Sequence, residues 1–261
     1  MRTTESNKVL RVAVATPAYG WFDYLASPNM GTEFLVPGMR LRVPFGKTNS
    51  FGILWELCPE PNDHARKLKP IIKCLDQQPL LTTSDLDLLT WVANYYHYAI
   101  GEVLVAALPT ALRRDKSLSS NELNPELSKD WKLVTPSFTM NTDQQQVLSK
   151  ITDYWGKFQT FLLDGITGSG KTEVYLQAIA QVISNGGQVL VLVPELGLIP
   201  QMLQRLQRRF VGLYVALLHS ERSPKTRTQD WLAARTGVAQ VVLGTRLAVF
   251  TPMPKLQLVI V

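Results

Sequence analysis

The chain has 261 residues, 46% of them hydrophobic, which is enough for one large or two ordinary domains and too apolar for general disorder. It has no run of 18 apolar residues, and its first residues lack the apolar core of a signal peptide, so the expectation is a soluble, cytoplasmic protein with no membrane partner. Residues 1–110 hold ten Lys/Arg against ten Asp/Glu and residues 111–261 seventeen against eleven, so the net charge of +6 sits in the second half.

In chain order, residues 9–16 alternate as a strand does, and residues 19–25 read as an aromatic-rich loop after Pro17. Residues 38–44 and 50–57 predict two further strands around a turn at 45–49, and short strands at this spacing suggest a small barrel or curled sheet. Residues 59–70 read as a surface loop before a short strand at 71–75. Ser84, with Asp87 three residues on, predicts the start of a helix whose apolar face is Leu86, Leu88, Leu89, Val92, Ala93 and Tyr96. That helix is expected to close near Gly101 and Glu102, with a second one over 103–108 stopping at Pro109. Residues 113–130 are polar and charged without periodicity, as in a linker. Cys58 and Cys74 are neither in a C-x-x-C pair nor near a histidine cluster, which argues against zinc and for reduced thiols.

The second half alternates helices and strands. A helix capped by Asn141 or Thr142 comes first, then an apolar run at 158–163 that reads as a buried strand. A helix over 172–183 is followed by a β-branched strand at 188–193, a basic helix over 201–210 and a strand at 215–218. A helix around 231–235, a strand at 240–243 and a last strand at 256–261 complete a pattern that specifies an α/β fold with a parallel, doubly wound sheet. Between the apolar run and the 172–183 helix stand Gly165, Ile166, Thr167, Gly168, Ser169, Gly170, Lys171 and Thr172, a match to G-x-x-x-x-G-K-[ST] in strand-to-helix context. Such a loop cradles a polyphosphate with main-chain N–H groups at a helix N-terminus, Lys171 reaching the outer phosphates and the Thr172 hydroxyl a Mg²⁺ ion. Arg205, Arg208, Arg209, Arg222, Lys225, Arg227 and Arg235, opposed only by Glu221 and Asp230, suit contact with a polyanion, and an ordinary solvated helix face explains them equally well.

Residues 194–201, from Pro194 and Glu195 to Gln201, with His219 and Ser220 and then Gly244, Thr245 and Arg246, resemble motifs of helicase superfamily 2. Taken with residues 165–175, they resemble the PriA family of replication-restart DNA helicases, also called primosomal protein N′. The first half agrees independently through residues 22–25, 43–47, 91–97 and 101–109. The resemblance implies a small β-rich, barrel-like 3′-DNA-binding domain over residues 1–110, a linker over 111–137 too short for the family's winged helix, and a RecA-like P-loop parallel-sheet lobe over 138–261. It implies a pocket for a free 3′ end made by Phe22, Asp23, Gly46 and Lys69. Phe22 would stack on the terminal base, Asp23 accept from the 3′-hydroxyl and Lys69 meet a phosphate. On residue type alone Phe22 is equally a core aromatic and Asp23 a turn residue. It further implies adenine recognition near Gln144, ATP and Mg²⁺ on residues 165–172, and single-stranded DNA along Pro194 to Gln201 and Gly244 to Arg246. Forked DNA, primosome proteins and single-strand-binding proteins are the implied partners.

The family's Asp-Glu-Glu-His box follows the strand on which this chain stops, and its zinc-binding cysteine cluster and second RecA-like lobe are not in this sequence. The lobe is therefore expected to be incomplete, with negligible ATP turnover by this chain alone and an open sheet edge that favours self-association. A non-enzymatic DNA-end binder and an unrelated P-loop ATPase or nucleotide kinase are the competing readings of the same residues.

Overall fold

In the computed structural model, which describes residues 9–27, 34–58, 68–115, 130–134 and 139–261, the chain divides into two compact units, Met1–Ser119 and Ser120–Val261. The expected loop over 59–70 and the linker over 113–130 lie largely outside the described residues.

The first unit has strands β1 (Val9–Val14), β2 (Phe22–Leu25), β3 (Arg40–Phe45), β4 (Thr48–Cys58) and β5 (Lys73–Cys74), paired antiparallel in the order β2-β1-β4-β3-β5. Alternate residues of a strand share a face, so Leu10, Val12 and Val14 of β1, Leu41 and Val43 of β3 and Leu54 of β4 meet in one buried cluster with Tyr24 and Ile71. The strand β2 corrects the aromatic loop expected at 19–25. Its pairing with β1 runs from Phe22 opposite Val12 to Leu25 opposite Val9, which satisfies the second edge of β1. β3 and β4 join through a two-residue hairpin in which Phe45 pairs with Thr48, and Gly46 alone carries a positive φ (59°), as a type II′ turn requires. Barrel-like closure comes from an irregular segment. The Leu25 N–H donates to Lys69 O at 3.0 Å and the Ile71 N–H to Leu25 O at 2.9 Å, while β5 pairs with β3, so residues 69–74 tie the two edges together.

Helix α1 (Thr83–Tyr96) is capped by Thr82, two residues before the expected Ser84. The Asp85 N–H donates to Thr82 Oγ1 at 3.3 Å and the Thr82 N–H to Asp85 Oδ2 at 2.7 Å, a complete capping box. The helix ends at His97 in the left-handed region (φ 54°). Helix α2 (Ile100–Ala107) follows almost at once, so Gly101 and Glu102 are helical, where a turn was expected. A Cβ on Gly101 would stand 2.0 Å from Val14 O, so α2 approaches β1 this closely only with glycine. Arg40 is fully buried; its Nε and Nη2 donate to the Asp76 carboxylate, at 2.9 and 2.5 Å to Oδ1, and its Nη1 donates to Leu112 O at 2.8 Å.

The second unit contains β6 (Lys132–Leu133), α3 (Thr142–Thr152), α4 (Lys171–Ser184), β7 (Gln188–Leu192), α5 (Ile199–Arg209), β8 (Phe210–Val211), β9 (Val215–Leu218), α6 (Pro224–Arg235), β10 (Val241–Gly244) and β11 (Leu256–Ile260). β7, β9, β10 and β11 form a parallel sheet in the order β11-β7-β10-β9, as the alternation of helices and strands specifies, and β6 pairs antiparallel with β8. Val189 and Leu190 of β7 and Val241 and Val242 of β10, neighbours that face opposite ways, are almost wholly buried, as in a sheet covered on both faces. Gln188 is fully buried; its amide donates to Ala234 O and Ala239 O, each at 2.8 Å, and accepts from the Lys255 N–H at 3.0 Å.

The buried strand expected at 158–163 is not formed. That stretch is irregular, with Phe158 at 98% and Leu162 at 93% exposure. An apolar run becomes a sheet strand only where a neighbour offers an edge, and among the described residues none pairs with it. β11 is an outer strand with Leu256 and Val259 exposed.

Asp76→Ala strands a buried guanidinium, and about 3–5 kcal/mol of stability should be lost in urea unfolding. Asp115→Ala, which removes the half-exposed partner of Arg42, should change stability by no more than about 0.5 kcal/mol.

Candidate nucleotide and nucleic-acid sites

The loop from Gly165 to Thr172 ends in the first turn of α4. Gly168 and Gly170 both have φ of 85°, so two left-handed residues turn the chain into the helix. At Gly170 the positive φ itself requires glycine, and a Cβ there would displace the Gln144 side-chain amide, 2.1 Å away. Gln144 reaches this point from the start of α3. Its N–H donates to Asn141 Oδ1 (2.8 Å), its Oε1 accepts from the Asn141 N–H (3.0 Å), and its Nε2 donates to Ser169 O (3.3 Å). The capping box that begins α3 therefore also aims the glutamine at the loop.

Lys171 folds back over the loop, its Nζ donating to Gly165 O and, at 3.1 Å, to Ile166 O. The Thr172 hydroxyl accepts from Arg205 Nη1 at 2.9 Å. One residue on, buried Glu173 accepts from Arg209 Nη2 at 2.8 Å and from Gln177 Nε2 at 2.8 Å. Both arginines belong to α5, four residues apart and so on one face of it. The residues present fit a Mg²⁺–polyphosphate. Gly168 and Gly170 supply the left-handed turn such a cradle needs, the start of α4 offers main-chain donors, and a lysine and a hydroxyl oxygen of the right hardness stand beside it.

The predicted nucleic-acid segments meet at the carboxyl ends of the parallel strands. The Val193 N–H donates to Gly244 O (2.9 Å) and the Thr245 N–H to Leu218 O (3.3 Å), which aligns Pro194, the 219–223 turn and Thr245 along one end of the sheet. Pro194, Gln201 and Arg246 are exposed, Thr245 is half-buried and Gly244 is buried. A Cβ on Gly244 would stand 2.4 Å from Leu218 O. The basic run is less free than its composition suggests. Arg205 and Arg209 hold α4, and Arg222 donates to Asp230 Oδ2 at 3.1 Å, leaving Arg208 and Lys225 exposed.

In the first unit Phe22 meets Phe45 edge-on, ring centroids 5.0 Å apart, which brings it beside Gly46. Lys69 is exposed and bonds through its carbonyl to the end of β2. Asp23 lies on the opposite face from Phe22, directly across from Arg11, whose Nε donates to Asp23 Oδ1 at 3.3 Å. Trp21 stands 5.1 Å from Trp55, whose Nε1 donates to Thr90 Oγ1 at 3.3 Å. The Gln144–Ser169 bond, the contacts of Arg205 and Arg209 with α4 and the Asp23–Arg11 pair were not expected from the sequence; for Asp23 the period of two along a strand was the available signal.

A glycine loop feeding a helix beside a parallel sheet defines the class of P-loop nucleotide-binding proteins, and in sequence it follows an antiparallel β-rich unit. The family described as 3'DNA-binding domain (3'BD) matches residues 11–109, and that described as DEAD/DEAH box helicase matches residues 141–261. Over most of its length the chain is similar to members of the PriA family. It is 32% identical to "Replication restart protein PriA" of Haemophilus influenzae over 97% of this chain and 44% of that protein. To the protein of the same name in Treponema pallidum it is 34% identical over 92% of this chain and 36% of the relative. The chain thus spans less than half the length of these curated relatives. The Haemophilus alignment runs over 323 positions, more than this chain's 261 residues, so that relative carries internal residues this chain lacks. The family implies use of ATP and Mg²⁺, and no helix among the described residues is long and apolar enough to cross a membrane.

His219, at the end of β9, has a buried Nδ1 with no hydrogen-bond partner among the described residues. Burial, then the Arg222 charge, holds its pKa below the usual histidine value. Asp230, almost wholly buried, accepts from the Tyr214 hydroxyl as well as from Arg222, and burial together with that bond raises the Tyr214 phenol. Because the unfolded chain takes up the His219 proton first, stability is present above about pH 6.5 and is lost as pH falls below it. Unfolding curves at pH 7.5 and 5.5 should therefore show a smaller acid loss in His219→Gln than in wild type.

Proposed function

We propose that this chain is the 3′-end-binding and ATP-binding part of a PriA-type helicase that acts at forked DNA. The observation that carries the reading is the loop ending at Gly170, where the left-handed glycine, Lys171 and Thr172 converge at the start of α4. In this reading residues 1–110 bind DNA ends, 111–137 link, and 138–261 bind nucleotide. Main-chain N–H groups from Gly165 to Gly170 bind the phosphates, Lys171 leaves its two carbonyls to meet the outer phosphate, and Gln144 orients the base while bracing the loop. The Thr172 hydroxyl would hold Mg²⁺, which would supply charge neutralisation at the phosphates.

Phe22, Gly46 and Lys69 receive the 3′ end of a strand, and Asp23 reaches the 3′-hydroxyl from the edge of β2 once its part-buried pair with Arg11 opens. Pro194, Gln201, Gly244, Thr245 and Arg246 follow single-stranded DNA along the carboxyl ends of the sheet. Primosome proteins and single-strand-binding proteins are the proposed protein partners, the setting is cytoplasmic, and Cys58 and Cys74 take no zinc.

Anisotropy titrations of the whole chain with a fluorescent non-hydrolysable ATP analogue, and with forked DNA whose 3′ end is free or blocked, test both sites. Lys171→Ala should weaken nucleotide binding more than tenfold and leave DNA binding unchanged. Asp23→Ala should remove the preference for a free 3′-hydroxyl and leave nucleotide binding unchanged. DNA binding without any nucleotide binding by wild type would reduce the protein to a DNA-end binder.

A further inference from the structure

We infer that Arg205 occupies the cation's place at Thr172, so that the nucleotide loop takes Mg²⁺ only as the Arg205 guanidinium withdraws. The inference rests on the assignment of residues 165–172 as the nucleotide site. Arg205 Nη1 donates to Thr172 Oγ1 at 2.9 Å, using a lone pair of the oxygen that a divalent cation would take. A guanidinium and Mg²⁺ also repel one another at that spacing, so the two occupants exclude each other.

The position of Arg205 is built, not incidental. Just beyond it helix α5 is fixed by Leu206, fully buried, and by the buried Arg209–Glu173 pair, which anchors the helix to the residue next to Thr172. The Arg205 side chain itself is exposed, and among the described residues its bond to Thr172 is its only side-chain hydrogen bond. The backbone is therefore held while the side chain is free to leave, the arrangement that a displaceable charge requires. The same helix begins in the segment from Pro194 to Gln201, so whatever binds there acts on the element that carries the arginine.

The test is the Mg²⁺ dependence of binding of the fluorescent non-hydrolysable ATP analogue to the 261-residue chain, compared among wild type, Arg205→Met and Arg205→Lys. Arg205→Met should lower the Mg²⁺ concentration for half-saturation by about three- to tenfold, the range of one exposed charge-assisted hydrogen bond, while Arg205→Lys stays within about twofold of wild type. A half-saturating Mg²⁺ concentration unchanged or raised in Arg205→Met would overturn the inference, as would a shift equally large in Arg205→Lys, where the competing charge persists. Absence of analogue binding by wild type at every Mg²⁺ concentration would instead overturn the nucleotide assignment, and the role of Arg205 with it.

Discussion

The parallel sheet of the second unit hangs on one buried amide. Gln188 begins the inner strand β7, and its side chain answers two carbonyls, of Ala234 at the end of α6 and of Ala239 just before β10, and one N–H, of Lys255 just before β11. Three connections that a helix–strand alternation leaves loose are thereby fixed at the amino ends of the strands. A buried amide is tolerable only with its hydrogen bonds made, and here both donors and the acceptor are used. With the amino ends locked, the variable work of the fold moves to the carboxyl ends, where Val193 meets Gly244, Thr245 meets Leu218, and the predicted binding segments emerge.

Charge is distributed by the same logic. The arginine-rich stretch from 205 to 235 reads in sequence as a surface for polyanions, yet Arg209 is buried against Glu173 and Arg222 is turned toward buried Asp230. Removing Glu173 would leave buried Arg209 a desolvated cation, so this pair defines geometry more than it adds net stability. What it defines is the relation of α5 to α4, and with it the surroundings of the loop at Gly165 to Thr172.

Most of the parallel lobe was legible in the sequence because its strands are short β-branched runs separated by amphipathic helices, and β7, β9, β10 and β11 fall within a residue or so of where periodicity puts them. The run at 158–163 has the same local signature, but hydrophobicity specifies burial without naming the neighbour, and no described strand lies beside it. The start of α1 was ambiguous for a different reason: Thr82 with Asp85 and Ser84 with Asp87 are the same pattern two residues apart, and the choice rests on which cap leaves Leu86, Leu89 and Ala93 buried. Gly101 misleads because glycine marks both turns and close packing, and only the distance to Val14 O tells them apart. At the candidate sites the left-handed turn at Gly168 and Gly170 into α4 was legible, the motif being contiguous. The 3′-end residues were not, since Phe22 and Asp23 are neighbours in sequence but project from opposite faces of β2.

The indole pair of Trp21 and Trp55 has a use outside the binding argument. With ring centroids 5.1 Å apart and planes tilted by 50°, the two chromophores couple their transition dipoles, and a tilted pair of this kind produces an exciton couplet in circular dichroism. Because Trp21 directly precedes Phe22 on the edge strand, any rearrangement of that edge changes the mutual orientation of the two rings. The first unit thus carries an intrinsic optical gauge of its own edge, readable without a label.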